Sequence, residues 1–547
     1  MRIIVLGGVA GGASFAARLR RLSEEDEIVI YEKSSDVSYA NCGIPYYIGG
    51  VIPSFNNLKV VSKQTFKDRF NIEVRTSSEI TEIDKDKKAV KVHNLITGET
   101  YLDHYDVLLL SPGAKPIKLN IPGMDLPEIF TLRNLEDTKK LKNYLNTHRV
   151  RKAAVIGAGF VGIETAENLK HLGLEVVIFQ KLPQILGNFD EDMVTLLEME
   201  LIHNGIDLRL NQDVTGFEKG QQIKVVTKDT KEDFDIVIFA IGVTPDTSLF
   251  PFLEKDKRGA ILVDENFKTS VDGIYAVGDA ISILNRVTDE KQSIFLAGPA
   301  NKEGRSAASL LKGIDDKYVG SNGSSVIKVF GLAAASTGIN EREAKRRKLP
   351  IETLRLEPMN HASYYPGATP IFLKLVYNKE TGEIYGAQAI GHDGVEKRID
   401  VISTAMMCHM KAWDLKNLDL CYAPPFSSAK DPVNMAGFMA QDIKDGLCKQ
   451  FYPEDVDNLP RDGSLNLIDV RTAMEYNQGH IPGFINIPLD GIRDHLKEID
   501  KTKPFYIHCQ GGLRSYVALR ILANNGYDVK HLSGGYLFYL FHKSKLH

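Results

Sequence analysis

Two cysteines stand where sulfur can do chemistry. Cys42 lies in "SYANCGIPYYIGG", residues 38–50, between Asn41 and Gly43. The thiolate is the reactive form, and a helix beginning at "CGIPYYIGG", in which Pro45 is tolerated early, would lower the thiol's pKa. No second cysteine stands near Cys42 in the chain. Oxidising equivalents held there must therefore sit in a mixed disulfide with a small thiol, or on Cys42 itself as an oxidised sulfur. Cys509, in "HCQGGLRS", follows an apolar run and opens a glycine loop ending in Arg514 and Ser515. Backbone N–H groups converging on one centre, with a guanidinium nearby, stabilise an anionic sulfur. The other cysteines, Cys408, Cys421 and Cys448, are irregularly spaced and form no CxxC pair, so no metal site is expected. Few cysteines fit a reducing cytoplasm, the compartment this sequence predicts.

The elements that must hold these cysteines are nucleotide-binding in pattern. "RIIVL" (2–6) runs into "GGVAGGASFAARLRR", and "EIVIYEK" (27–33) follows. This reads as a βαβ unit whose glycine turn brings backbone close to a pyrophosphate at a helix N-terminus, with Glu32 placed to accept from ribose hydroxyls. Val9 stands where G-x-G-x-x-G would put its second glycine, between Gly7 and Gly12. The pattern recurs in full at 152–181 as Gly157, Gly159 and Gly162, followed by helix and strand. Its ribose-reading position holds Gln180–Lys181, where Gln bonds a hydroxyl and Lys attracts a 2′-phosphate, leaving NADH and NADPH both open. Two such units imply two dinucleotides, a flavin and a nicotinamide. "GIYAVGDA" (273–280) delivers Gly278–Asp279 into a turn where a carboxylate can hold a ribityl chain. "LLLSPGAKP" (108–116) and "IFAIGVTPDTSL" (238–249) end in Gly/Pro turns expected between domains, so the first unit is predicted to be discontinuous.

From about 323 the pattern changes to an antiparallel sheet with helices near 341–347 and 395–410. "LCKQFYPEDVDNLP" reads as a linker, and a small α/β domain follows. The fold class expected is α/β, with boundaries at 1–118 and 244–322 for the first nucleotide-binding unit, 119–243 for the second, 323–447 for the antiparallel domain and 455–547 for the last domain. With 547 residues, several domains are required. A net charge of −4 argues against a nucleic-acid partner. No run approaches the ~18–20 apolar residues that cross a membrane, and the N-terminus reads as a strand with no targeting segment.

Residues 1–445 resemble the pyridine nucleotide–disulfide oxidoreductases, and most closely their single-cysteine branch of coenzyme A-disulfide reductases, NADH oxidases and NADH peroxidases. Relatives with two cysteines space them five apart; here Tyr47 takes the second position. Residues 455–545, through "IDVR", "GHIPGFINIP" and "CQGGLRS", resemble a rhodanese domain, with Cys509 accepting sulfane sulfur and Asp469 and Arg471 supporting its loop. Arg514 comes five residues after Cys509, one short of the phosphatase spacing CxxxxxR, which favours sulfur transfer. Together the two halves resemble the coenzyme A-disulfide reductase/rhodanese fusions, also described as coenzyme A-persulfide or NADH-dependent persulfide reductases.

The resemblance implies FAD along the first turn (Gly7, Gly8, Ala10, Gly11, Gly12), at Glu32 and Lys33, at Ser111, Pro112 and Gly113, and at Gly278, Asp279 and Ala300. It implies NADH or NADPH at Gly157, Gly159, Gly162, Gln180, Lys181 and Gly242. It places coenzyme A at Ser14, Arg18, Arg21, Ser38, Asn41 and Lys430, with Arg18 and Arg21 three apart on one helix face. It implies a homodimer with active sites completed across the interface, where "HASYYPGATP" and "CYAPPFSSAKDP" bring Tyr364 and Tyr422, with Tyr365 second to Tyr364, to Cys42. Cys421, beside Tyr422, reads as structural. Where the peroxidase branch has a catalytic histidine this chain has Ala10, which weighs against the oxidase and peroxidase alternatives. A redox-sensing sulfur carrier is the remaining alternative.

Overall fold

The computed structural model describes residues 1–497 and 499–544; residues 545–547, the end of the last expected domain, lie outside the described residues. It divides into two compact units, 1–185 with 205–323, and 186–204 with 324–547.

The first unit holds two five-stranded parallel sheets. One runs Ile274–Ala276, Val107–Leu110, Arg2–Leu6, Glu27–Tyr31, Glu73–Arg75. Buried on both faces, the central strands of this sheet are near-continuous apolar runs, with Ile3, Ile4 and Val5 fully buried. The second sheet runs Ile206–Arg209, Glu175–Phe179, Lys152–Ile156, Ile236–Phe239, Ile129–Phe130. The first sheet thus takes strands from both sides of the second in sequence. The two Gly/Pro connectors meet, Ala114–Pro116 pairing antiparallel with Val243–Pro245.

The second unit contains an antiparallel sheet in the order Ser325–Val329, Leu332–Gly338, Ile384–Gly391, Ile371–Asn378, Ile351–Leu356. The helices expected near 341–347 and 395–410 span Glu341–Arg346 and Val395–Met407. The helix Glu191–His203, inside the range expected for the NAD(P)H domain, belongs with this unit. Charge explains the attachment. Lys374, 1% exposed, lies 3.0 Å from Asp190, 2.9 Å from Asp192 and 2.8 Å from Glu341, and Arg355 lies 2.6 Å from Asp192. Buried charges of this kind persist only when paired, so the start of the helix is fixed to the sheet.

The last module is a parallel sheet ordered Gln450–Phe451, Val529–Leu532, Phe505–His508, Asn466–Asp469, Ile485–Asn486. The segment expected as a linker is therefore structured: Gln450 and Phe451 pair with His531 and Leu532 at the sheet edge, and Pro453–Asn458 forms a 3₁₀ turn. A two-residue strand beside Pro and Asp is too short to show alternation, which is why it reads as loop. The antiparallel module packs on this sheet through Phe372 against Phe538 and Phe541, ring centroids 6.1 and 5.7 Å apart. Gln450 Nε2 also donates to Thr353 O at 3.2 Å, and Tyr516 Oη to Asp442 at 2.5 Å. Among the described residues, no helix is long and apolar enough to cross a membrane and no group of side chains could hold a metal ion.

Candidate active sites at two sulfur centres

The glycine turns of the first unit show why one motif is complete and the other is not. A Cβ on Gly12 would collide with the Gly7 carbonyl, and one on Gly162 with the Gly157 carbonyl, so strand and helix meet only if both are glycine. A Cβ on Gly159 meets nothing within 4 Å. The middle glycine is thus not demanded by the protein's own packing, and Val9, its counterpart, packs against Tyr39, Leu58 and Leu135. Glu32, 7% exposed, accepts from Gly8 N at 2.8 Å and from Ser34 N at 2.9 Å. Gln180 mirrors it, its Oε1 accepting from Ala158 N at 3.2 Å, while Lys181 is 2.7 Å from Asp213.

A cavity of about 2290 Å³ opens beside the first turn. Gly7, Ala10, Gly11, Glu32, Lys33, Ser111, Pro112, Gly113, Gly278, Asp279 and Ala300 line it, together with Ser14, Arg21, Ser38, Asn41 and Cys42. Gly8 and Gly12 lie beneath the turn, in contact with Glu32 and Gly7. Arg18 does not line the cavity: its Nε donates to Ser309 Oγ at 3.0 Å, tying the helix Ala10–Leu22 to the helix Ala297–Leu311. Of the two arginines expected on one face, only Arg21 faces the space. Lys430 and both tyrosines belong to the other unit.

The residues fit a flavin dinucleotide. Glycines of the first turn line the cavity, Glu32 stands at the ribose-reading position, and Asn41 Oδ1 is buried with no hydrogen-bond partner. Several residues here carry no sequence signal. Arg133 lies 2.8 Å from Asp279, donates to Ala114 O at 2.8 Å and accepts from Asn41 Nδ2 through its carbonyl at 3.3 Å. Glu303, 2% exposed, accepts from Gly278 N at 2.7 Å, and burial pushes its carboxyl up to about 7.

Cys42 sits in a 3₁₀ turn, Asn41–Gly43, that precedes the short helix Ile44–Ile48. The lowering expected from a helix N-terminus is not what the chain's own groups supply. Desolvation at the cavity wall pushes the thiol up, the Glu164 carboxylate adds to this, and Arg133 opposes it. A five-residue helix that begins after the cysteine has too little dipole to reverse the sign. Glu164 belongs to the helix after the second glycine turn and accepts from Tyr46 Oη at 3.1 Å; burial pushes it up to about 7. Tyr47, in the second-cysteine position, packs edge-on against Phe55 at 5.7 Å, with Lys142 over its ring at 5.5 Å. All five cysteines are free thiols.

In the second unit, the Tyr364 and Tyr422 hydroxyls are 2.8 Å apart on exposed side chains, 73% and 48% exposed, and Tyr422 pushes the Tyr364 phenol up. Tyr365 instead packs edge-on against His361 at 5.6 Å. Cys509 lies at the floor of its loop, 1% exposed, with Gly512 N donating to Sγ at 3.1 Å. Arg514 grips Glu475 through two bonds of 2.7 and 2.6 Å. Asp469 and Arg471 form a buried pair at 2.7 Å, and Arg471 reaches Gln510 Oε1 at 3.1 Å, so the pair supports the loop from below.

Comparison with known proteins places these modules. Residues 1–304 match the pyridine nucleotide-disulphide oxidoreductase model, 324–432 the dimerisation domain of that family, and 452–539 the rhodanese-like domain. The chain belongs to the pyridine nucleotide-disulphide oxidoreductases. It is 35% identical over 448 residues to a coenzyme A disulfide reductase of Staphylococcus haemolyticus, covering 81% of this chain and 100% of that one. The solved structure of reduced Bacillus anthracis CoADR-RHD superposes with TM-score 0.96 at 45% identity, over 99% of this chain and 98% of the other. A NAD-dependent persulfide reductase from A. fulgidus gives TM-score 0.92 at 34% identity, over 98% and 100%. This member of the family carries its oxidoreductase and rhodanese-like modules on one chain.

Proposed function

We propose that this chain is an FAD-dependent, nicotinamide-driven reductase of coenzyme A disulfide and coenzyme A persulfide, with sulfane sulfur handled at Cys509. One observation carries the reading: Cys42 opens on the large cavity with its potential protein partner position filled by Tyr47. The second sulfur must then arrive on a small thiol. FAD, when bound, passes the two electrons of a nicotinamide hydride to sulfur. The Cys42 thiolate attacks coenzyme A disulfide, forming a Cys42–coenzyme A disulfide and releasing one coenzyme A thiolate; two electrons then free the second thiolate and restore Cys42. With coenzyme A persulfide, attack on the inner sulfur releases hydrosulfide instead.

Asn41 and Arg21 hold the ligand near Cys42, and Arg133 fixes Asp279 where the flavin binds. The match of 324–432 to a dimerisation domain supports a homodimer in which the Tyr364–Tyr422 pair of the second copy donates a proton to the departing thiolate. On this reading 1–118 and 244–322 hold FAD, 119–243 the nicotinamide, 323–447 the dimer contact, and 455–547 sulfur transfer. Lys430 contributes to coenzyme A binding, Arg514 steadies the Cys509 loop, and the pantetheine arm carries sulfur between Cys509 and Cys42. Five free thiols support a reducing, cytoplasmic setting.

Mass spectrometry of the Cys42 peptide from protein purified without reductant tests the proposal. A coenzyme A mixed disulfide is expected. A sulfenic acid or bare thiol, with NADH consumed by oxygen alone, would replace the reading with an oxidase.

A further inference from the structure

The mouth of the Cys509 loop is built partly by another module. Glu357 follows the strand Ile351–Leu356, the edge strand that docks the rhodanese sheet through Gln450 and through Tyr452, which donates to Glu352. Its side chain lies on the loop, where a Cβ on Gly511 would collide with Glu357 Oε2. Arg514 is close enough to pull the Glu357 carboxyl down electrostatically, and Arg514 in turn feels Cys509, Glu475 and Asp469.

The charges around the loop can be followed group by group. Arg514 is neutralised by Glu475, and Arg471 by Asp469. His508 and His531 are neutral, each pushed down to about 4 by burial. Above about pH 7, where Glu357 is ionised, two guanidinium cations therefore face three carboxylates. Like charge at a desolvated site repels an approaching anion, and a dianion about twice as strongly as a monoanion.

We propose that Glu357 is a specificity residue of the Cys509 loop, turning away small inorganic dianions and reserving the cysteine for sulfur carried on an organic thiol. The reaction it biases against is attack of the Cys509 thiolate on thiosulfate, which forms the Cys509 persulfide anion and releases sulfite. The favoured reaction is attack on the outer sulfur of an organic persulfide, forming the same Cys509 persulfide and releasing the organic thiolate. The inference rests on Cys509 being the sulfur acceptor, as proposed above, and one of its tests is independent of that.

Glu357→Gln keeps the bulk over Gly511 and removes the charge. In the full-length holoenzyme, kcat/KM for thiosulfate is expected to rise about tenfold, and that for pantetheine persulfide, whose charge is confined to the sulfur, by less than about threefold. Equal changes with both donors, or none, would overturn the proposal. The independent test alkylates Cys509 with iodoacetate and with neutral iodoacetamide, read by peptide mass spectrometry. Thiol ionisation cancels in the ratio of the two rates, which should rise severalfold in Glu357→Gln. In the unaltered protein the ratio should climb as pH falls through about 7, because burial pushes Glu357 up to about 7. Between pH 5 and 9 Glu475, held down to about 2 by Arg514, and the neutral His508 and His531 hold fixed charge, while His480, which acts on His508, is present in both proteins. The ratio in Glu357→Gln should therefore climb much less than in the unaltered protein; an unaltered ratio or the same slope in both proteins would sink the idea even if sulfur transfer itself were intact.

Discussion

Cys42 stands on a short turn at the wall of a large cavity, whereas Cys509 lies at the floor of a closed loop with 1% of its surface exposed. The loop at Cys509 is finished by the protein alone: Gly512 N donates to the sulfur, and the Asp469–Arg471 pair braces the loop through Gln510. The surroundings of Cys42 are unfinished. Desolvation and Glu164 oppose its thiolate, and Asn41 Oδ1 is buried without a partner. On the proposed function, the difference keeps two sulfur reactions apart. One cysteine depends on what the cavity takes in, and the other on a preformed anion-binding loop.

The largest expected effect breaks that comparison outright. Cys42→Ser should lower NAD(P)H-driven reduction of coenzyme A disulfide by about 1,000-fold or more, because the nucleophile itself is gone. Sulfur transfer from a persulfide donor should stay within about twofold in that variant, since no step of it uses Cys42. Cys509→Ser should give the opposite pair of results. Steady-state assays of both activities on both variants decide it, and joint loss in either would mean the centres are not separable.

An intermediate effect sharpens the Cys42 side. Tyr364→Phe and Tyr422→Phe should each slow disulfide reduction about 10- to 100-fold, less than the ~10²–10⁴-fold of a fully lost general acid because the other hydroxyl of the pair remains, with sulfur transfer unchanged. Their hydroxyls share one hydrogen bond of 2.8 Å, so the double variant should fall well short of the product of the two. Strict multiplication in kcat would show that the tyrosines act independently.

What is legible in the sequence follows the same divide. The glycine turns, Glu32, Gly278–Asp279 and the Cys509 loop are local patterns, each set by steric demands within a few residues, and the amino-acid order alone locates them. Arg18 departs from expectation because two arginines three apart share a helix face only on average; Ser309, from a distant helix, claims one of them. Arg133, Glu164, Glu303 and Glu357 belong to no motif. Each is a lone charged residue whose meaning comes from a partner brought in by tertiary packing. The sign of the Cys42 shift is hidden from the sequence for the same reason, since Glu164 arrives from the helix after the second glycine turn.

The smallest effect concerns that carboxylate. Glu164 is pushed up to about 7 by burial, so it is ionised before Cys42, whose thiol desolvation and Glu164 push up, loses its proton. A carboxylate beside a thiol favours the neutral thiol. Replacing Glu164 with Gln removes the repulsion and keeps an acceptor for Tyr46. The midpoint for alkylation of reduced Cys42 by iodoacetamide should move to lower pH, and the rate at pH 7 should rise about threefold. Peptide-resolved mass spectrometry separates Cys42 from the exposed Cys408 and Cys421. An unmoved midpoint, or one moved upward, would show that Glu164 does not act on Cys42 and that desolvation alone holds the thiol protonated.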